Sequence, residues 1–136
     1  MIADNIESKD IVLSLALKIA DVGASCQNFS TAVKWANKYY SELSEASAAL
    51  GDPAVSIPDF HRAQFLHLDG YVRTIVSFMR KTDIFASVSP AIEENLNANY
   101  LKWQVEGFEI ISEWVNSRRN ENGEKLKESS EIANSR

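Results

Sequence analysis

The stretch NYLKWQVEGFEIISEWV, residues 99–115, decides how this chain folds. Tyr100, Trp103, Gly107, Ile110 and Trp114 step by three and four, so they share one face of an α-helix. Leu101, Val105, Phe108 and Val115 keep helical spacing well round towards the opposite side. A strand would need apolar residues alternating with period two, and none of the chain shows that. A helix that is oily on two sides needs cover on both, which a small bundle of its neighbours does not fully supply.

Reading back from this stretch, Ile92 and Leu96 extend the first stripe. Ser89-Pro90 marks its start, since serine caps well and proline is tolerated at the first helical position. The helix is expected from Pro90 to about Arg118. Beyond it, NENGEKLKESSEIANSR (120–136) is almost entirely polar. Such a segment buries too little apolar surface to offset the entropy of ordering it, so a disordered tail is expected over 119–136.

Three further helices are expected upstream. Val12, Leu15, Ile19, Val22 and Cys26 form one stripe, flanked by Leu13, Leu17 and Ala20, with Ser8 as a cap and Gly23 to Asn28 loosening the end. STAVKWANKYYSELSEASAALG (30–51) carries Val33, Ala36, Tyr40, Leu43, Ala46 and Leu50 on one face and Lys34, Lys38, Ser41 and Glu45 on the other. Ser30 is its expected cap, and Gly51 followed by Asp52-Pro53 is its stop. A helix from about Asp59 to Lys81 has Phe65, Leu68, Val72, Ile75 and Met79 as its core line. Arg62, Asp69, Arg73 and Arg80 are expected outside. The prediction is an all-α antiparallel four-helix bundle over 1–118, with room for a short fifth helix near 83–88 that tucks Ile84 and Phe85 under the bundle.

Composition agrees. The 136 residues fit one domain, and 5 Gly and 3 Pro are too few for the turns of a β-sandwich. Nineteen acidic against 14 basic side chains leave a net charge of −5, which argues against a sequence-independent grip on nucleic acid or an anionic membrane. The apolar run at 11–20 contains Lys18 and falls short of the ~20 residues that span a bilayer. Cys26 is the lone cysteine, so no intramolecular disulfide can form. These features suit a cytoplasmic protein.

Site chemistry is sparse. Phosphate loops, GxSxG, HExxH and calcium loops are absent, and no Glu stands three residues before a His, so neither a metal nor another cofactor is expected. Glu106, Glu109 and Glu113 read as the polar strip that keeps the last helix soluble. Trp35, Trp103, Trp114, Tyr39, Tyr40 and Tyr100 read as core. In HRAQFLH (61–67), Arg62 and His67 are separated by four residues. That spacing resembles the Arg-x4-His motif of the HEPN family, all-α domains that often act as metal-independent RNases. The resemblance implies His67 in acid–base work on a 2′-hydroxyl and Arg62 on the phosphate. Read without it, His61 belongs to the core side beside Phe65 and Leu68, and His67 to a flank with Phe60 and Tyr71.

The two-faced helix leads to the main expectation: a non-enzymatic interaction module, an adaptor, regulator, inhibitor or immunity-type binder. Leu101, Val105, Phe108 and Val115 would form its interface, with Glu109 on an acidic rim suited to a basic protein partner. Bare, these side chains would expose roughly several hundred Å², about the largest patch on a monomer, so a homodimer across this face and a flank of the first helix is expected. No membrane partner is expected, and nucleic acid only if the Arg62–His67 alternative holds.

Overall fold

The computed structural model describes residues 6–82 and 85–134. Its helices are α1 (Ile6–Val22), α2 (Phe29–Leu50), α3 (Ile57–Phe65), α4 (Arg73–Arg80) and α5 (Ser89–Asn134). A 3-10 turn, Gly23–Cys26, follows α1, and a π-helical segment, Leu66–Val72, joins α3 to α4 without a break. The chain therefore forms four rods, an all-α helical bundle with no strand among the described residues.

The ends follow from local chemistry. Asn28, not Ser30, caps α2: its side-chain oxygen accepts the Thr31 N–H at 3.0 Å. Gly51 closes α2 in the left-handed region with φ 73°, where a side chain would be strained. Ser56 caps α3 by accepting from the Asp59 N–H, with Pro58 in the first turn. Ser8 already lies inside α1 rather than at its cap. The fifth helix expected near 83–88 falls partly on Asp83 and Ile84, outside the described residues, while Phe85 packs against the core.

The core is built mainly by the expected stripes, joined by Phe60 and Ile111 from outside them. Phe60, Val72, Met79, Leu96 and Ile111 are fully buried, each contributing about 1.5–3 kcal/mol relative to exposure. Helix α5 is the axis, contacted by α2, α3, the π segment, α4 and the 3-10 turn. Helix α1 leans on α4, with Ile19 and Val22 facing Ile75, Val76 and Met79 across a hollow of about 240 Å³.

Two expectations change. Helix α5 runs past its expected end near Arg118, with helical backbone to Asn134. Arg73 is not simply an outer-face residue. Its Nε donates to Asp69 at 2.7 Å, its Nη1 donates to Asn97 on α5 at 2.7 Å, and its guanidinium lies 5.7 Å from the Tyr100 ring. With Arg80–Glu93 at 2.9 Å, it ties the π segment and α4 to α5.

Candidate functional site

Along α5 the two apolar series part company. Trp103 and Gly107 are buried, and Tyr100, Ile110 and Trp114 pack against the core, so the first series is the inward face. Leu101 is 61% exposed, Val105 81% and Phe108 50%, one strip two turns long on the outer side. Phe108 is braced at its base by the His61 ring, 6.0 Å away and edge-on. Val115, expected on this strip, instead packs against the core. Helical angle explains it: Val115 stands nearer the buried line than Val105 does, and Tyr40 and Arg118 close around it. Glu109 is exposed beside the strip, as are Lys102, Gln104 and Glu106.

Arg62 and His67 lie in different surroundings. Arg62 is exposed on α3, whereas His67 lines a cleft to which Arg62 does not contribute. His61 takes the core position, its Nε2 donating to the Trp103 carbonyl at 3.1 Å and its ring 4.8 Å from Phe65. His67 is half-buried, 5.8 Å from the Tyr71 ring and 3.4 Å (Nε2) from Ser25 Oγ. Burial pushes its pKa below the usual 6.5, partly opposed by the Asp21 carboxylate, so the imidazole is neutral at pH 7.

The cleft at His67 has a volume of about 440 Å³ and lies between the end of α1, the 3-10 turn, α2, α3 and the start of the π segment. Ala24, Ala32, Ala36 and Ala63 hollow it out by being small. Trp35 and Tyr39, one turn apart on α2 and each 54% exposed, form an aromatic wall. Asp21, Ser25, Gln64 and His67 supply the polar groups. Buried Asn99 on α5, 2% exposed, holds the turn that carries Ser25: its Nδ2 donates to the Ser25 and Gln27 carbonyls at 2.9 and 2.8 Å. Trp35 and Tyr39 were expected in the core. Their positions on α2 lie between the Val33–Ala36–Tyr40 face and the charged face, a boundary that spacing alone assigns poorly.

Among the described residues no three acidic, histidine or cysteine side chains gather as a cation site, and no helix is long and apolar enough to cross a membrane.

No family model, curated protein or solved structure matches the chain.

Proposed function

We propose that this protein is a helical interaction module that works as a homodimer, pairing through the outer strip of α5. The observation that carries the reading is the exposure of Leu101, Val105 and Phe108 on the helix that also forms the bundle's axis. Helix α5 has neighbours on several sides within one chain, yet this strip stays bare. Apolar side chains in water at that density are stabilised by a partner that covers them.

A second copy fits the strip. Leu101 and Phe108 are seven residues apart with Val105 between them, so an antiparallel α5–α5 crossing about Val105 sets Leu101 against the partner's Phe108 and brings the two valines together. Lys102 and Glu109 share one flank, and the same crossing brings the lysine of each copy alongside the glutamate of the other. Stable interfaces bury about 800 Å² per partner, more than three side chains supply, so the association is modest and concentration-dependent. Exposed Arg62 does not line the cleft that holds His67, which favours binding over the RNase reading.

Sedimentation equilibrium over a concentration series tests this. The wild-type chain is expected to shift from monomer to dimer with concentration, and Val105→Asp to remain monomeric with an unchanged far-ultraviolet spectrum. A wild-type mass that stays monomeric at the highest concentration rejects the reading.

A further inference from the structure

The cleft lined by His67 is separate from the α5 strip, and its chemistry is selective. We infer that it binds a guanidinium group, the arginine side chain of a basic peptide, by stacking on Trp35 and Tyr39 and donating to Asp21. Arginine brings five N–H donors on a flat, weakly hydrated cation and no acceptor. The lining answers that inventory. Asp21 accepts through two carboxylate oxygens and Gln64 through its amide oxygen, while Ser25 Oγ and His67 Nε2 stand 3.4 Å apart beside them. No lysine or arginine lines the cleft. A phosphate or carboxylate ligand would meet the Asp21 charge.

The aromatic wall supports the same class. The ammonium of Lys38 sits 4.7 Å from the centre of the Trp35 ring, so that ring takes a cation in this protein, and an incoming guanidinium displaces the exposed Lys38 side chain from it. A guanidinium on the wall would gain more than an ammonium, because its plane stacks on a ring while its edge reaches a carboxylate in a two-pronged contact. The site is also built in advance of binding. Asn99 fixes the turn bearing Ser25, and the Tyr39 ring is backed by Phe60 at 6.0 Å. The volume of about 440 Å³ leaves room for one such side chain and part of its backbone. The overall charge of −5 steers a basic segment towards the protein.

The test is calorimetric titration of the full chain with three capped pentapeptides that differ only at the central residue: arginine, lysine or citrulline. Citrulline keeps the shape and loses the charge. The arginine peptide is expected to bind, with lysine weaker and citrulline weaker by at least about tenfold. Asp21→Asn is expected to cost the arginine peptide about tenfold while leaving the citrulline peptide unaffected, and Trp35→Ala to weaken both cationic peptides. Asp21 and Trp35 are exposed, and equal thermal midpoints would show that both variants fold. Equal affinity for arginine and citrulline, no heat with the arginine peptide at millimolar concentration, or indifference to Asp21→Asn each overturns the inference. Monomeric behaviour of the chain would not touch it.

Discussion

His61 and Trp103 are joined twice: the imidazole Nε2 donates to the Trp103 carbonyl at 3.1 Å, and the two rings stack with centroids 6.2 Å apart. The pair locks α3 to α5 at the level of Gly107, and it explains why a glycine sits in the middle of a buried helical stripe. A Cβ built on Gly107 would fall 2.9 Å from the Trp103 ring and 3.0 Å from the His61 ring.

Gly107→Ala is therefore expected to destabilise. Alanine gains about 1 kcal/mol in helix propensity. Overpacking costs about 1–3 kcal/mol, and Trp103 cannot yield, held as it is between Phe29, His61 and Trp114. Overpacking wins. Urea unfolding of the variant should show a lower midpoint at unchanged slope, and an equal or higher midpoint would mean that the rings move freely.

Asn99→Ala should cost about 1–3 kcal/mol and loosen the 3-10 turn, because the Ser25 and Gln27 carbonyls lose their shared donor. Amide hydrogen exchange checks it. Protection should fall first at Gly23 to Gln27 while the centre of α5 stays protected.

Acid should weaken the fold through His67. Its pKa is lowered in the folded chain, so the unfolded chain binds the proton more readily and stability rises with pH in this window. The His67 contribution is fully present above about 6.5 and declines as pH falls below it, towards the lowered folded value. Urea midpoints between pH 7.5 and 5 should drop for the wild type and drop less for His67→Gln. Parallel curves would remove His67 as the cause.

Cys26 is buried, and burial raises its thiol to a pKa of about 11. A thiol-specific colour reagent at pH 8 should label the folded chain slowly and the urea-unfolded chain at once. With the folded pKa above the ordinary 9.0, the stability tied to this thiol is present below pH 9 and lost as pH rises towards 11. Rapid labelling of the folded chain would show that the turn opens readily.

Much of the architecture was legible because three-four periodicity survives in the core lines of each rod. Leu15 and Val22, Leu68 through Met79, and Leu96 with Trp103 are buried where their spacing put them. The α5 strip was legible for the same reason, as a second periodic series. Ile111 is fully buried although it stood in neither series, because ridge packing against α2 and α3 favours a position between two stripes. The cleft was not legible. Its walls come from α1, the 3-10 turn, α2, α3 and the π segment, and its hollow is made by alanines whose smallness has no meaning until the neighbours are placed. Nor was the π segment, since a core line spaced three and four fits either ladder.

That segment has a consequence for how the chain tolerates change. The Arg73 N–H reaches back five residues to the Leu68 carbonyl, and the Thr74 hydroxyl takes the Gly70 carbonyl. The loop of backbone between them holds one residue more than an ordinary turn. Deleting a single residue there would let the ladder close as an α-helix without shortening its hydrogen bonding. It would leave the residues on the N-terminal side close to their present angle about the axis relative to α4, because the wide turn already absorbs the extra residue. Phe60 and His61 would keep their seats along with Ile75 and Met79, whereas the same deletion within α3 or α4 would turn one half of the rod by about 100° against the other, so this stretch is where the rod tolerates a change of length.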